Sequence, residues 1–421
     1  MRVLVAVLAL AGCARAAEPA RRAVLLDVDG VRRDTFEQVF AAGRLPNLAR
    51  IFDQAVWFER ASTVTPSVTM AAQGTIATGV MPAQHGVIGN QWYDRESGRL
   101  YDYMSAAGLS CVYGFTVLSG QECLGGLGNR HLLAKTIYEA AAERGFDSVV
   151  AYNQYWRGAS RPAAPTAAEA RAFLPGNKLD FKRFDTQMAG RAVAELQAHG
   201  LPAILTLYFT GADTTGHASG IGAQPDYLAT VIDPLVGQVL DVIAGLDPEW
   251  RSHTLFLLTS DHGRTDVTEH AEDLTLLADM RDALPEGTRI AQSGGMAFVY
   301  LPQADAAAGA RLLEKFPQTV ESVRPRAANE SARGGDLVVT LRPGHYFGKS
   351  SGSHHGAPTQ GDLNVPMVVA MPGVAGGRSE DEVSVAQVAR TIAEFVGFPM
   401  EGTAPALPLV HEQRRKRQAD R

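Results

Sequence analysis

The chain has 421 residues, 46% of them hydrophobic and 20% charged, with a formal net charge of −6. That length and apolar content supply a sizeable core and exclude a disordered chain. The acidic balance, with a pI near 6.0, leaves no basic surplus to hold a nucleic-acid duplex, whereas a small phosphate ester or nucleotide whose charge is met locally stays open as a substrate.

Arg2, the apolar run over residues 3–10 and the pair Arg21-Arg22 read as an export leader. The run is too short to span a bilayer. Ala14-Arg15-Ala16 fits a signal-peptidase site, and Leu10-Ala11-Gly12-Cys13 resembles a bacterial lipobox. The mature protein is therefore expected in the periplasm, either free after loss of a signal peptide over 1–16 or held to the envelope by a lipid on Cys13, its only membrane contact. Residues 17–410 are expected to form the folded domain, and 411–421 a solvated basic tail. The two remaining cysteines, Cys111 and Cys123, lie in a Gly-rich stretch and either close a short disulfide loop or stay as thiols.

Along the chain, an apolar strand over 23–28 ends in Asp29-Gly30. Pro46 opens a short helix over 46–52. A helix is predicted over 132–144 and a strand over 148–152. An Ala/Pro-rich surface loop is predicted over 159–172 and a helix over 181–199. A β-rich run over 203–209 ends before Asp213, and an amphipathic helix covers 227–246. The strand over 254–259 ends before Asp261-His262, and a late strand covers 365–371. Strands alternating with helices predict an α/β fold, a largely parallel central sheet flanked by helices. A small α+β insertion over about 264–350 interrupts it, with strands at 296–301, 320–325 and 337–341 around a helix over 306–316.

Three strand ends carry acidic or imidazole groups: Asp29, Asp213 and Asp261-His262. In open α/β sheets the carboxyl ends of strands form the functional edge. In Asp213-Thr214-Thr215-Gly216-His217 the i, i+4 spacing places Asp and His on one side of a helical turn. Gly352-Ser353-His354-His355-Gly356 adds a Gly-rich loop with histidines. Such a mixed set of carboxylates and imidazoles suits zinc. An Asp-Gly turn or an Asp-x-x-x-His pair alone is unspecific; the joint appearance of all of them, each beyond an apolar run, is not. A Ser/Thr-rich stretch, Thr65 to Thr75, offers several hydroxyls and does not itself single one out.

These blocks resemble the alkaline phosphatase superfamily, and within it the nucleotide pyrophosphatase/phosphodiesterase branch. The match runs through Asp29-Gly30-Val31-Arg32, Thr69 to Gly79, Pro82 to Asn90, Asp213 to His217, Ser260-Asp261-His262-Gly263 and His354-His355-Gly356, in the family's order over about 330 residues. The resemblance implies an alkaline-phosphatase-like fold and an enzyme that cleaves phosphate esters with two zinc ions. It makes Thr69 the nucleophile, forming a covalent phospho-threonine, and Asn90 a hydrogen-bond donor to the phosphoryl group. One zinc would be held by Asp213, His217 and His355, the other by Asp29, Asp261, His262 and the Thr69 oxygen. His355 is preferred to His354 because Gly356 completes the family's His-Gly pair; His85 matches a motif position that binds no metal.

Two departures bear on the subclass. Gln73 stands where many relatives carry His. Where monoester-preferring relatives carry a Lys-x-Arg pair, Tyr155-Trp156-Arg157 offers a tyrosine first. A diesterase or nucleotide pyrophosphatase is expected, with a monoesterase as the alternative and a non-catalytic binding protein on the same fold as the reading from another class. No Cys-x-Pro-x-Arg sequence of the sulfatases is present.

Overall fold

The computed structural model describes residues 20–105, 126–163 and 181–409. The leader with Cys13, the Cys111 and Cys123 pair, the later part of the Ala/Pro-rich stretch and the basic tail lie outside the described residues.

Eight strands form one sheet in the order Gly377–Ser384, Val56–Ser62, Met367–Ala370, Thr254–Thr259, Arg22–Val28, Ile204–Phe209, Ser148–Ala151, Arg161–Ala163. Met367–Ala370 runs antiparallel to both of its neighbours; the other pairs are parallel. The α/β fold with a mostly parallel sheet is thus present. Alternation along the central strand shows why it needs both faces covered. Ala23 and Leu25 enter one apolar layer with Ile76, Ile137 and Ile392. Val24, Leu26 and Val28 enter the opposite layer with Phe36, Leu48, Leu196 and Leu240. Successive side chains point to opposite faces, so a strand buried twice reads as a continuous apolar run.

A second, four-stranded antiparallel sheet holds Arg289–Ser293, Met296–Tyr300, Leu337–Leu341 and Val320–Pro325, in that order. The helix Ala308–Lys315 buries Ala308 and Leu312 against it.

Local chemistry explains where elements differ from expectation. The helix expected over 132–144 is shorter, Ile137–Ala142, because Thr136 and Glu139 form a capping box that starts it only there; a separate short helix, Leu127–His131, precedes it. The helix expected over 227–246 consists of Gln224–Tyr227, a π-helical turn at Leu228–Ile232 and Asp233–Leu246. Pro234 has no N–H for the carbonyl one turn earlier, so the backbone widens just ahead of it. Part of the expected loop over 159–172 is the edge strand Arg161–Ala163. Two further strands, Val56–Ser62 and Gly377–Ser384, had no clear apolar signature; the second is a largely exposed edge whose Glu380, Asp381 and Glu382 discourage pairing with another chain.

Candidate active site

Strand order brings the chemistry together. Arg22–Val28 lies between Ile204–Phe209 and Thr254–Thr259, so Asp29, the Asp213 helix and Asp261-His262 leave three adjacent strands at the same edge. Asp213 and His217 lie one turn apart on the helix Gly211–Ser219. Thr69 opens the helix Thr69–Thr78, whose first turn turns its positive end toward the site. His355 follows the short strand Ser353–His354, which pairs with Thr265–Asp266 directly beyond the Asp261 motif.

Asp29, Thr69, Asn90, Asp213, His217 and His355 line one cavity of about 420 Å³. Asp261 and His262 are fully buried behind it. His262 Nε2 is 3.2 Å from Thr69 Oγ1, 3.4 Å from Asp29 Oδ1 and 3.6 Å from Asp261 Oδ2. His217 Nε2 is 3.2 Å from Asp213 Oδ2 and 3.2 Å from His355 Nε2, which is 3.8 Å from Asp213 Oδ1.

All three imidazoles are oriented alike. His217 Nδ1 faces the Ser353 carbonyl at 3.1 Å, His262 Nδ1 the Gly263 carbonyl at 3.0 Å and His355 Nδ1 the Ser67 carbonyl at 3.0 Å. A carbonyl only accepts, so each Nδ1 carries the proton and each Nε2 presents a lone pair inward. Metal-binding histidines are held by such outer hydrogen bonds. Asp29 Oδ1 and Asp261 Oδ2 are buried without a hydrogen-bond partner. Lone pairs and unpartnered carboxylate oxygens that face one another need cations, and two groups of these residues, Asp29-Asp261-His262 and Asp213-His262-His355, have ligand atoms within 4.8 Å of one another. The donors thus fit metal ions. The pKa directions carry the same message. Burial, then Asp261 and Asp213, push the Asp29 carboxyl well above the usual range. Burial would also raise Asp213, but His217, Arg264 and His355 outweigh it and hold that carboxyl well below normal. Burial, then His262, hold His355 well below the ordinary imidazole value, hence neutral and able to ligate.

His354 also lies within reach of His217 and His355. Its Nδ1 accepts from the His355 backbone N–H at 2.8 Å, and its ring stacks with Tyr346 at 5.1 Å. His85 sits apart: Nδ1 accepts from the Val87 N–H at 3.2 Å, Nε2 meets Thr75 Oγ1 at 3.0 Å, and burial pushes its pKa down to about 3. Asn90 Oδ1 accepts from the Met70 N–H at 3.1 Å, which turns the Asn90 NH₂ group toward the cavity beside Thr69.

Three side chains that sequence reasoning passed over complete the surroundings. Arg264 is fully buried; it is paired with Asp213, donates to Ser353 Oγ at 2.7 Å and to the Gly30 carbonyl at 3.1 Å. A Cβ on Gly216 would collide with its guanidinium, and one on Gly30, at φ 68°, with the Asp213 carboxylate. The Tyr208 hydroxyl donates to Asp29 Oδ2 and accepts from Gln154 Nε2. Asp27 is buried one alternation below Asp29, and burial, then Asp261, push its carboxyl well above normal while the Gln73 amide opposes the shift. Only Asp27 gave a signal, a carboxylate inside an apolar strand; Arg264 and Tyr208 looked like ordinary neighbours of a motif and of a core run. Removing Arg264 leaves Asp213 without its buried counter-charge. Arg264→Met is expected to destabilise the fold by about 3 kcal/mol or more, read by urea unfolding, and an unchanged midpoint would contradict the role given to this pair.

Tyr155, Arg157 and Gln73 do not line the cavity. Tyr155 is buried and donates to the Met70 carbonyl at 2.8 Å, so it does not face the cavity. Arg157 is bound to Glu139 and to the carbonyls of Asn129, Leu132 and Ala134. Gln73 points to Asn153, whose Nδ2 donates to it at 2.8 Å. Among the described residues, no lysine or arginine lines the cavity.

Residues 23–367 match the family model for type I phosphodiesterase / nucleotide pyrophosphatase. The structure is similar to murine ectonucleotide pyrophosphatase / phosphodiesterase 5, in an inactive form in complex with AMP, at a TM-score of 0.70 and 14% identity over 93% of this chain and 99% of that one. It is also similar to phosphonoacetate hydrolase from Sinorhizobium meliloti 1021, at 0.63 and 19% identity over 90% and 96%. A curated relative, alkaline phosphatase PhoD from Zymomonas mobilis subsp. mobilis, is 25% identical over 293 residues, 57% of this chain and 50% of the relative, so the chain spans about half of that protein's length. The structural likenesses speak for the fold, and the match over most of the chain places it in the type I phosphodiesterase / nucleotide pyrophosphatase family.

Proposed function

We propose that the protein is a two-zinc phosphodiesterase or nucleotide pyrophosphatase that works through a covalent threonine ester at Thr69. The observation that carries this reading is the convergence of Asp29, Asp213, Asp261, three inward Nε2 atoms and the Thr69 hydroxyl on one cavity edge. Asp213, His217 and His355 would hold one ion; Asp29, Asp261, His262 and Thr69 Oγ would hold the other. When bound, the ions lower the pKa of the threonine hydroxyl and neutralise charge on the phosphoryl oxygens.

The residues of the chain do the rest. Thr69 Oγ attacks phosphorus as its proton passes to solvent, and the bond to the leaving oxygen breaks, that oxygen departing with a proton from water; a second water then attacks the threonine ester, releasing the phosphoryl group as free phosphate monoester and returning a proton to Thr69 Oγ. The Asn90 NH₂ group donates to a non-bridging oxygen, and the start of the Thr69 helix favours negative charge there. Arg264 and Tyr208 fix the Asp213 and Asp29 carboxylates. Tyr152, Phe181 and Tyr208 line the same cavity and give an apolar wall for a nucleoside or aryl leaving group. AMP bound by the murine relative fits that class. The leader motifs support export to the periplasm, with or without a lipid on Cys13.

A transferred diester group carries one negative charge on its non-bridging oxygens and a monoester two, and an unmatched charge in a closed site is costly. With no lysine or arginine on the described lining, diesters and phosphoanhydrides should be preferred. The kcat/KM for a nitrophenyl nucleotide diester is expected to exceed that for nitrophenyl phosphate at least tenfold. Thr214→Lys, which adds a cation to the lining, should move the ratio toward the monoester. A parent enzyme that favours the monoester would replace this subclass with a monoesterase.

A further inference from the structure

His270, Glu272 and His345 offer three ligand atoms within 4.8 Å of one another, away from the catalytic cavity. The two imidazole rings lie parallel, 3.5 Å apart at 10°. His270 Nδ1 is 3.5 Å from Glu272 Oε1. The Glu272 side chain is 56% exposed, so the cluster opens to solvent and an ion can enter. We propose that these residues form a third metal site, for a divalent ion with zinc chemistry.

The donor set is the first argument. Two imidazoles and one carboxylate with an open position suit zinc better than calcium or magnesium, which prefer all-oxygen shells. A tetrahedral ion with bonds of about 2 Å spaces its ligand atoms by roughly 3.3 Å, and the freely exposed Glu272 can turn to close the remaining distance.

The second argument is how His345 is held. Its Nδ1 lies 3.1 Å from Asp273 Oδ1, and Asp273 is fully buried, its other oxygen accepting from the Tyr346 N–H at 3.2 Å. A carboxylate fixed behind a histidine sets the ring so that Nε2 points outward, the outer-shell arrangement found behind metal-binding histidines.

The place in the fold gives the site a consequence. Backbone bonds tie this loop to the segment after the second sheet: the Thr268 N–H donates to Gly344 O at 3.1 Å and the Gly348 N–H to Asp273 O at 2.9 Å. That segment runs on to the catalytic histidines. Tyr346 stacks on His354, and Lys349 Nζ donates to the His217 carbonyl at 2.8 Å. An ion bridging His270 and Glu272 to His345 fastens the segment that delivers His355.

The test uses full-length protein stripped with chelator, reloaded with zinc, freed of excess ion and analysed for metal per chain. His270→Ala combined with Glu272→Ala, both on partly or fully exposed side chains, is expected to bind one equivalent fewer than the parent and to keep most of its turnover. Conversely, Asp29→Ala combined with Asp213→Ala should retain one equivalent, which disappears when His270→Ala and Glu272→Ala are added. Zinc should raise the Tm of the Asp29/Asp213 variant by several degrees and leave the four-site variant unmoved. Equal metal content in the parent and the His270/Glu272 variant would overturn the inference. A parent that binds a single zinc, lost in the His270/Glu272 variant, would uphold it while refuting the two-zinc catalytic reading.

Discussion

Thr69→Ala is expected to fold, to bind metal as the parent does, and to lose turnover by on the order of 10⁴-fold or more, as removal of a covalent nucleophile does elsewhere. The side chain is buried but small, and its one hydrogen-bonding contact among the described residues is with His262. Alanine is a strong helix former at the start of Thr69–Thr78, so the helix has no reason to move. Thr69→Ser retains the hydroxyl and should keep measurable activity, with a looser rotamer costing part of the rate. Steady-state kinetics on a diester, with metal content measured alongside, check the pair. Near-parental turnover in Thr69→Ala would move the attack to water or to a neighbouring hydroxyl.

The second large effect concerns the ligands. His262→Ala removes the imidazole whose Nε2 lies within 3.6 Å of Asp29, Asp261 and Thr69 oxygens. It is expected to lower the metal content by one equivalent and kcat/KM by at least 10³-fold, since a metal ion contributes both charge neutralisation and nucleophile activation. Chelation of the parent should produce the same loss, reversible on adding zinc. His354→Ala is the control: its Nδ1 is already occupied by the His355 N–H, so the metal content should not change. Loss of an ion in His354→Ala, with His355→Ala unaffected, would exchange the two histidines in the proposed ligand set.

How much of this was legible beforehand follows the chemistry of each signal. The three central strands announced themselves because burial on both faces demands continuous apolar runs, and their ends carried the acidic motifs. The strands at Val56–Ser62 and Gly377–Ser384 did not, since a partly exposed strand or a charged edge mixes polar residues into the run. The motif residues were readable as a set because each recurs at a strand end. Arg264 was not, because its importance lies in a pairing with Asp213 that spans 51 residues of sequence. Tyr155 misled for a related reason: sequence position places a residue near a site, whereas the backbone decides which way its side chain points, and here it points to Met70. The His270, Glu272 and His345 cluster was equally silent, its histidines standing 75 positions apart in the sequence with no motif to join them.

The stereochemical course at phosphorus tests the central proposal most directly. Each in-line displacement inverts the phosphorus centre, so attack by Thr69 followed by attack of water on the threonine ester returns the original configuration. Hydrolysis of a phosphorothioate diester of known configuration in isotopically labelled water is predicted to give net retention. Net inversion would mean that water attacks the substrate in a single step, and would contradict the role of Thr69 as the nucleophile.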